Sequence, residues 1–479
     1  MSDAPLMLSV SGLRGIVGRS LTPAVAVRFA AAFGDWLKHE KARGGACSTT
    51  PGPVHVVLGR DSRPSGAMLE MAAASALAAA GCRVTRLGVL STPGVAIMVE
   101  HLNADAGMVI TASHNPIIWN GMKPLLRVSG RIQAPPVKQA NEIIERFRAD
   151  IASYVTVEDL VAPGEATDGP QVHAQAVLKH VDVEAIRAAK LKVVVDGVHG
   201  AAGAETALLM RELGVELVHL WAEPTGRFPH TPEPTKENLT ALCDAMRQHK
   251  AHLGFAQDPD ADRLAIVDER GTYIGEEYTL ALACLHLLQR SGPAARGAKL
   301  VANLSTSRMI DDIASRYGAQ VLRTPVGEAN VASVMQKEAA LAGGEGNGGV
   351  IYPPVTLVRD SLVGMALVLE MLARRRLPLS DIVREVPSYA IVKDKAEANR
   401  ALIEKISPLL QQAYAQQQID TQDGVRVNWP DRWVHVRPSN TEPIVRFIAE
   451  ATSEDAAAAL IADARRTLGC DALGGVTHA

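Results

Sequence analysis

Residues 106–116 read Ala-Gly-Met-Val-Ile-Thr-Ala-Ser-His-Asn-Pro, an apolar run followed by a corner of small and polar residues. The apolar part, 106–110, predicts a buried strand, and Asn115-Pro116 predicts a tight turn directly after it. Ser113 is therefore expected at the open end of a strand, where its hydroxyl can act as a nucleophile or carry a phosphoryl group. What this serine does depends on the polar loops in the rest of the chain.

A strand, a loop of small residues and a helix follow one another three times, at 54–80, 192–213 and 299–317. This alternation is typical of layered α/β sheets. We interpret the repetition as three related α/β domains with mixed sheets; the alternative is that any α/β protein contains such units. From about Tyr389, short strands followed by one helix predict a smaller α+β domain.

Turn-rich segments divide the chain into domains. Residues 161–170 predict a linker, 268–271 a hairpin turn and 374–378 a further break. The length of 479 residues is also too great for one compact core. The predicted domains are 1–155, 156–268, 269–385 and 386–479.

The composition is that of an ordinary globular protein, with 47% hydrophobic and 21% charged residues. A net charge of −3 argues against nucleic acid as a partner. Five cysteines without a C-x-x-C pair suggest free thiols in a reducing compartment. The sequence suggests neither a signal peptide nor an apolar stretch long enough to span a membrane, so we expect a cytoplasmic enzyme with no membrane partner.

The segment 258–263, Asp-Pro-Asp-Ala-Asp-Arg, places three carboxylates at alternate positions between two apolar runs that predict strands. Carboxylates arranged in this way can converge, and hard oxygen ligands suit Mg²⁺. An EF-hand is excluded because Arg263 stands where that loop needs a glycine. Arg263 is also placed to neutralise the charge of a phosphate beside the metal. The alternative is a solvated acidic turn with no bound cation.

Two basic side chains are candidates for phosphate contacts near Ser113. Arg14 stands between glycines in 11–18, which predicts an N-terminal loop whose backbone N–H groups can approach an anion. Asn120-Gly121 predicts a sharp return of the chain that would bring Lys123 over Ser113. A lysine there can hold a phosphate or act in general acid-base catalysis. The alternatives are a simple surface turn and a solvated lysine.

Two further polar loops lie in the second half of the chain. Residues 437–443, Arg-Pro-Ser-Asn-Thr-Glu-Pro, combine a guanidinium, hydroxyls and loop N–H groups into a cradle for a phosphate dianion; a helix cap is the alternative. The glycine loop 343–349 carries Glu345 and Asn347, which can bind sugar hydroxyls, or it is a flexible surface loop.

This ordered set of motifs resembles the α-D-phosphohexomutase superfamily, which comprises phosphoglucomutase, phosphomannomutase and phosphoglucosamine mutase. In chain order the motifs are Ser-Gly-Leu-Arg-Gly, Thr-Ala-Ser-His-Asn-Pro, Asp-Pro-Asp-Ala-Asp-Arg, the Gly-Glu sugar loop and Arg-Pro-Ser-Asn-Thr-Glu-Pro. The resemblance covers essentially the whole chain. It implies four domains around a central cleft, with the last domain closing over the ligand.

The resemblance also implies a role for each motif. Ser113 would be the phosphoserine, and its phosphoryl oxygen would bind Mg²⁺ together with Asp258, Asp260 and Asp262. The transferring group would be surrounded by Arg14, His114, Lys123 and Arg263. Sugar hydroxyls would be bound by Glu345 and Asn347. The phosphate that does not react would be held by Arg437, Ser439, Asn440 and Thr441.

The activity implied by the resemblance is the interconversion of hexose 6-phosphate and hexose 1-phosphate. One Mg²⁺ per chain and a priming hexose 1,6-bisphosphate would be the cofactors, and a monomer or homodimer is expected. The sequence Gly-Glu-Gly-Asn-Gly-Gly after Gly343 lacks the histidine of many relatives and is similar to archaeal-type phosphoglucosamine mutases. Glucosamine 6-phosphate is therefore the expected substrate, with glucose and mannose phosphates as alternatives.

Two other classes of function compete with this interpretation. A metal-dependent phosphohydrolase also uses a hydroxyl nucleophile and carboxylates, but its two-metal forms need histidines near the carboxylates, and none stands beside 258–262. A sugar-phosphate sensor on the same fold would not need Ser113, Lys123 and all three aspartates. Release of inorganic phosphate would identify a phosphohydrolase. Absence of turnover in every mutase assay would identify a sensor.

Overall fold

The computed structural model describes residues 6–45, 51–397, 399–439 and 444–470. Within these residues the chain forms four β-sheets, each covered by helices. Three sheets belong to α/β units that follow one another along the chain, and the fourth is the antiparallel sheet of a C-terminal domain. No helix in the described ranges has both the length and the apolar character that crossing a bilayer requires.

The first unit contains a mixed sheet, in which the order of strands is β1-β2-β6-β5-β3-β4-β8 and β7 pairs with β6. Its strands are β1 Met7–Ser9, β2 Gly12–Ile16, β3 His55–Arg60, β4 Arg83–Val89, β5 Ala106–Ile110, β6 Trp119–Val128, β7 Arg131–Gln133 and β8 Gly164–Glu165. Its helices are α1 Pro23–Ala42, α2 Gly66–Ala79, α3 Thr92–His101 and α4 Val137–Arg148.

The second and third units have smaller sheets, ordered β10-β9-β11-β12 and β14-β13-β15-β16. The second unit consists of α5 Gly169–Leu178, α6 Val183–Ala189, β9 Lys192–Asp196, α7 Gly203–Glu212, β10 Glu216–Leu220, α8 Thr240–His249, β11 Leu253–Gln257 and β12 Leu264–Val267. The third consists of α9 Glu277–Ser291, β13 Lys299–Asn303, α10 Met309–Arg316, β14 Gln320–Thr324, α11 Glu328–Lys337, β15 Ala342–Glu345, β16 Gly349–Ile351, α12 Ser361–Arg375 and α13 Leu379–Val383. Short 3-10 helices cover Val157–Asp159, Lys236–Asn238 and Gly292–Ala295.

The C-terminal domain is built differently, with an entirely antiparallel sheet ordered β17-β21-β20-β19-β18. Its elements are β17 Ala390–Glu397, α14 Arg400–Ala413, β18 Gln418–Asp420, β19 Val425–Asn428, β20 Trp433–Pro438, β21 Ile444–Ala451 and α15 Glu454–Leu468. Apolar residues of α15 pack on one face of this sheet, which gives the domain its own core. The predicted α+β domain at the C-terminus is therefore confirmed.

The three α/β units share one topology, which confirms the predicted repetition. In each unit three parallel strands are followed by an antiparallel fourth, in the orders β4-β3-β5-β6, β10-β9-β11-β12 and β14-β13-β15-β16. The connection between the third and fourth strand carries the serine loop in the first unit, the acidic loop in the second and the glycine loop in the third. Equivalent positions of three repeats thus supply three predicted functional loops.

The predicted linker at 161–170 is wrong in part. Gly164–Glu165 forms β8, which pairs in parallel with β4 and so gives backbone partners to the edge of the first sheet. Helix α5 already begins at Gly169, with Pro170 in its first turn, where a proline costs no helical hydrogen bond. The predicted hairpin turn at 268–271 is present, closed by a bond from the Asp268 N–H to the Thr272 carbonyl of 2.9 Å.

A buried histidine joins the three α/β units. His173 of α5 is fully buried, and its two ring nitrogens lie 2.7 Å from Glu205 Oε1 and 2.9 Å from Asp360 Oδ2. Ser91, the N-cap of α3, donates to Glu205 at 2.6 Å, and Asp360 is the N-cap of α12. Burial alone would lower the pKa of His173, but Asp360 and Glu205 raise it to about 10. A charged imidazolium thus holds together elements from all three units.

We expect the protein to lose stability as the pH rises from about 6.5 towards 10, because folded His173 keeps its proton in this range and the unfolded chain releases it. Below pH 6.5 His173 makes its full contribution to the free energy of unfolding. Between pH 6.5 and 10 the free energy of unfolding falls by up to about 1.4 kcal/mol per pH unit. Urea denaturation midpoints at several pH values measure the effect. His173→Gln should lower the midpoint and abolish this pH dependence, whereas exposed His101→Gln should change neither. Parallel pH profiles for wild type and His173→Gln would contradict the assignment.

Candidate active site

Ser113 lies where β5 ends, 2% exposed, with a φ of 50° in the left-handed region. Its backbone N–H donates to Thr111 Oγ1 at 2.8 Å, which fixes the turn. Its hydroxyl donates to Asp258 Oδ2 at 2.8 Å and lies 3.3 Å from His114 Nδ1. The serine and acidic loops, which are far apart in sequence, therefore meet through a direct hydrogen bond.

The serine loop is held by Arg63, a residue that the sequence analysis did not single out. Its guanidinium is fully buried and donates to the backbone carbonyls of the loop, at 2.6 Å to Ser113 and 2.6 Å to Asn115. Asp61 pairs with Arg63 at 3.0 Å and accepts from Thr111 Oγ1 at 2.7 Å. The available signal was the polar segment 59–66, which carries two arginines and an aspartate and begins in the last two residues of β3.

The acidic loop connects β11 to β12 and brings Asp258, Asp260 and Asp262 together, with one oxygen of each within 4.8 Å of the others. All three are at most 1% exposed. Asp258 Oδ1 accepts the N–H groups of Asp262 and Arg263 at 3.1 Å each, which closes the turn. Burial, together with the other two carboxylates, raises the pKa of Asp258 well above its usual value. The three carboxylates are therefore close enough to disfavour the ionisation of Asp258.

Two buried cations approach one side of the acidic loop. Lys123 Nζ and Arg359 Nη2 donate to Asp262 Oδ2 at 2.9 and 2.6 Å. Burial would raise the pKa of Asp262, but Arg359 and Lys123 hold it far below its usual range. Arg359 also donates to Glu345 Oε2 at 2.7 Å, and so it links the acidic loop to the glycine loop. No motif in the sequence indicated Arg359.

Three other predicted residues line the same region. Arg14 Nη1 donates to Asn115 Oδ1 at 2.9 Å, so it reaches the serine loop from β2. Arg263 lies 3.5 Å from Glu233 and 4.0 Å from Asp262. Burial lowers the pKa of His114 well below 6.5, with Arg263 and Arg14 adding to the effect. The imidazole beside the Ser113 hydroxyl is therefore neutral near pH 7.

Two local predictions about these residues are wrong, although both side chains lie near the serine and acidic loops. Arg14 is not in a loop: 12–16 form strand β2, which pairs with β6 so that Arg14 faces Gly121 across the ladder. Asn120-Gly121 is not a turn but lies inside β6. Lys123 approaches the site because β6 runs antiparallel to β5, with Lys123 opposite Val109. The chain reverses earlier, between β5 and β6.

The glycine loop presents its two predicted sugar ligands differently. Glu345 is 5% exposed and already accepts from Asn303 Nδ2 at 2.8 Å, from the Gly327 N–H at 3.1 Å and from Arg359. Asn347 is only partly buried, and Arg359 Nη1 lies 3.4 Å from its Oδ1. Both residues line a cavity of about 210 Å³.

Glu277, at the start of α9, also lines this cavity; in the sequence, residues 275–278 indicate either a sugar contact related to that of the glycine loop or an acidic helix start. Its carboxyl accepts the Ser307 N–H at 2.9 Å and lies so close to Gly346 that a Cβ there would collide with it. Burial raises the pKa of Glu277 to about 8, and the Ser307 N–H opposes that shift only in part. This carboxyl group belongs to the candidate sugar pocket.

The predicted phosphate loop faces the same cavity from the C-terminal domain. Arg437 at the end of β20 is 7% exposed, pairs with Asp423 at 2.9 Å, and lies opposite Arg446 of β21 in the sheet. Both arginines line the cavity that contains Glu345 and Asn347. Ser439 lies next to Arg437 and lines an adjoining cavity of about 590 Å³. Asn440 and Thr441 are outside the described residues.

Models of one protein family match almost the whole chain. Family models described as phosphoglucomutase/phosphomannomutase match in order: domain I at 7–152, domain II at 171–271, domain III at 276–389 and the C-terminal domain at 389–467. The chain belongs to the phosphoglucomutase/phosphomannomutase family. It is a mutase of the isomerase class within the α-D-phosphohexomutase superfamily, as the sequence motifs predicted.

Relatives of this phosphohexomutase carry two different names. A "phosphoglucomutase/phosphomannomutase" of Thermococcus kodakarensis is 37% identical over 456 residues, covering 93% of this chain and 94% of the relative. A "probable phosphoglucosamine mutase" of Methanopyrus kandleri is 37% identical over 455 residues, covering 93% and 94%. A crystal structure of a family protein from Burkholderia thailandensis is 28% identical with a TM-score of 0.80, covering 98% of this chain and 100% of the other.

Proposed function

We propose that this phosphohexomutase interconverts hexose 6-phosphate and hexose 1-phosphate through phosphorylated Ser113 and a hexose 1,6-bisphosphate, with glucosamine 6-phosphate as the preferred substrate. The observation that carries the proposal is the hydrogen bond of 2.8 Å between the Ser113 hydroxyl and Asp258, one of three converging buried carboxylates. A buried hydroxyl beside a cluster of hard oxygen ligands is the arrangement that phosphoryl transfer requires.

The donor set fits a magnesium ion. Asp258, Asp260 and Asp262 supply only oxygen ligands, which Mg²⁺ prefers. The Oδ1 atoms of Asp260 and Asp262 are buried and have no hydrogen-bond partner among the described residues, so a cation would satisfy them. When bound, Mg²⁺ would stabilise negative charge on the phosphoryl oxygens. We propose one such ion per chain.

The chain's own residues supply the nucleophile and the proton acceptor for the transfer. The bond between Ser113 Oγ and phosphorus breaks as a sugar hydroxyl oxygen forms its bond to the same phosphorus, and the reverse transfer returns a phosphoryl group to Ser113. The hydroxyl proton needs an acceptor, and His114 Nδ1 at 3.3 Å from Ser113 Oγ is placed for it. Lys123 is the other candidate, although it contacts Asp262 as an ammonium. Arg14 and Arg263 border the position of the moving group.

The C-terminal domain would hold the phosphate that does not react. Arg437 and Arg446 lie side by side at the cavity and can form charge-assisted hydrogen bonds to a dianion. Such a site can bind the phosphate at either end of a hexose bisphosphate without contacting the sugar ring. A 1,6-bisphosphate can therefore turn around between two transfers, and the same compound would prime Ser113.

Glu277 supports an amino sugar as the substrate. Glu345 is engaged by Asn303, the Gly327 N–H and Arg359, whereas the Glu277 carboxyl faces the cavity with Ser307 as its backbone donor. A carboxyl that resists ionisation in an empty pocket ionises readily when an ammonium group enters, because the two charges compensate each other. The 2-ammonium of glucosamine 6-phosphate supplies such a charge, and glucose and mannose phosphates do not.

Glu277→Gln is expected to lower kcat/KM for glucosamine 6-phosphate about 10- to 100-fold, since a hydrogen bond to a charged group contributes about 1.5–3 kcal/mol. The kcat/KM for glucose 6-phosphate should change little. Glu276→Gln, the neighbouring carboxylate, which pairs with Lys393 at 2.5 Å, is the matched control. An equal loss with both sugars would mean that Glu277 supports the pocket without selecting the substrate.

The experiment that tests the function compares specificity constants for the 6-phosphates of glucosamine, glucose and mannose in one preparation. Formation of the 1-phosphate from at least one of them, without release of inorganic phosphate, supports a mutase. Release of phosphate would favour a hydrolase. A larger constant for glucose or mannose 6-phosphate would overturn only the assignment of the sugar.

A further inference from the structure

A second polar cavity, of about 380 Å³, lies between the third α/β unit and the C-terminal domain. Among the described residues it shares no lining side chain with the cavity that contains Glu345 and Asn347, called the sugar cavity below. Its walls are unusually basic and aromatic: four arginines and two tryptophans, Arg308, Arg323, Arg426, Arg432, Trp429 and Trp433. Three of the arginines, Arg308, Arg323 and Arg426, also donate to backbone carbonyls around the cavity.

Arg426 of β19 is the buried cation of this cavity. It is 4% exposed, donates through Nη1 to the Leu304 carbonyl at 2.7 Å, and stacks 4.4 Å from the centre of the Trp433 ring. Its Nε is buried and has no hydrogen-bond partner among the described residues. Burial, followed by the charge of Arg323, lowers the pKa of Arg426 to about 9. A buried cation in this situation is stabilised by any anion that enters the cavity.

The acidic groups around the cavity, Asp311, Asp420 and Glu450, only partly offset the effect of burial on the pKa of Arg426. Asp311 is paired with Arg323, which also donates to the carbonyls of Asn303 and Thr306 at 2.9 and 2.8 Å. Asp420 accepts from the backbone and the side chain of Gln422 at 2.9 Å each. The side chains that line the cavity comprise four arginines and two aspartates, an excess of positive charge; Arg308 and Arg432 also lie 4.0 and 3.9 Å from Asp312 and Asp431, which do not line it.

We propose that this cavity binds a phosphorylated ligand with a planar ring, of the nucleoside diphosphate class, at a site separate from the catalytic centre. The guanidinium groups would pair with phosphate oxygens, to which arginine is well matched in shape. Trp429 is partly exposed, and a base would stack on the part of its ring that Arg432, at 5.7 Å, and Tyr414, edge-on at 5.6 Å, leave open. The volume lies within the range of small-molecule sites, about 300–1,000 Å³.

The ligand would contact two domains at once. Arg308 and Arg323 belong to the third α/β unit, whereas Arg426, Trp429 and Arg432 belong to the C-terminal domain. Strand β20 extends from Trp433 at this cavity to Arg437 at the sugar cavity. A ligand here would therefore fix the position of the domain that carries the phosphate loop.

Isothermal titration of the full chain tests the proposal, with ADP, inorganic pyrophosphate and inorganic phosphate as probes at constant ionic strength. All titrations contain saturating glucosamine 6-phosphate or glucose 6-phosphate, so that the sugar cavity is occupied. We expect ADP to bind more tightly than pyrophosphate, and phosphate to bind most weakly. Arg432→Ala and Arg426→Lys should each weaken ADP binding at least about tenfold. Exposed Arg211→Ala should bind like wild type.

Arg432 lies at the surface with 43% of its side chain exposed, so its replacement tests the site even if the Arg426 variant folds poorly. Absence of ADP binding under these conditions would overturn the proposal. Unchanged affinity in Arg432→Ala would do the same, since the ligand would then lie elsewhere. Equal affinities for ADP and pyrophosphate would exclude the ring subsite at Trp429.

Discussion

Ser113→Ala is expected to lower mutase turnover by more than about 10⁴-fold, because the hydroxyl is the group that accepts and returns the phosphoryl group. No other hydroxyl among the described residues is hydrogen-bonded to Asp258. The fold should be unaffected, since the loop is held through backbone carbonyls by Arg63 and not through the serine side chain. Turnover is measured with each hexose 6-phosphate, and folding by the thermal denaturation midpoint.

Two further variants separate the chemistry from backbone strain. Ser113 has a φ of 50°, a conformation in which glycine is least strained, so Ser113→Gly removes the hydroxyl without adding strain. Ser62→Ala is the matched control, because this nearby buried hydroxyl has no hydrogen-bond partner among the described residues. Activity should be lost in Ser113→Gly and retained in Ser62→Ala.

Mass spectrometry of the intact chain gives a second measurement. After incubation with a hexose 1,6-bisphosphate and Mg²⁺, wild type should gain the mass of one phosphoryl group, and peptide mapping should place it on Ser113. Neither Ser113 variant should gain it. Turnover near the wild-type level in Ser113→Ala, or a phosphoryl group on another residue, would remove the proposed role of this serine.

Local sequence was sufficient to predict the elements that carry the site. The strands at 192–196, 253–257, 264–267 and 299–303 have the bounds that their apolar and β-branched runs predict. The serine loop follows the strand predicted at 106–110 and the acidic loop follows the strand at 253–257, and the residue types in both loops indicate their chemistry. The meeting of Ser113 with the three aspartates follows from the equivalent positions of these loops in repeated units.

Contacts between distant segments could not be predicted in this way. Arg63 binds carbonyls about fifty residues later in the chain, and Arg359 joins Asp262 to Glu345. The sequence around a buried arginine has no periodic pattern that indicates which residues it will contact. Arg14 was assigned to a loop because glycines flank it, yet pairing with β6 makes the segment a strand. Tertiary pairing here overrides local preference.

The role of Glu345 in the glycine loop could also be predicted only in part from the sequence. Glu345 was predicted to read sugar hydroxyls, but the structure gives its carboxyl three protein donors. Those donors fix its orientation and leave Glu277 as a second carboxyl at the cavity. Whether Glu345 also reaches the sugar remains a prediction, whereas its role in joining the acidic and glycine loops through Arg359 is visible in the contacts.

Removal of divalent cations is expected to abolish turnover, and Mg²⁺ should restore it, because the three buried carboxylates would otherwise repel a phosphoryl group. Mg²⁺ should also stabilise the fold, by about 2.7 kcal/mol at a concentration one hundred times its Kd. The thermal midpoint of wild type in chelator should therefore rise when Mg²⁺ is added. Both effects follow from one ion that satisfies the unpartnered oxygens of Asp260 and Asp262.

Asp260→Asn tests this ion at a single ligand. Its amide oxygen can still accept from Thr92 Oγ1, which now donates to Asp260 Oδ2 at 2.6 Å, so the contact with α3 is kept while the charge is lost. Turnover should fall more than about 100-fold, since even outer partners of metal ligands contribute 10- to 100-fold. The rise in midpoint with Mg²⁺ should disappear, whereas exposed Asp244→Asn should keep both properties. Full activity in chelator, or an equal rise in Asp260→Asn, would show that the acidic loop does not bind the ion.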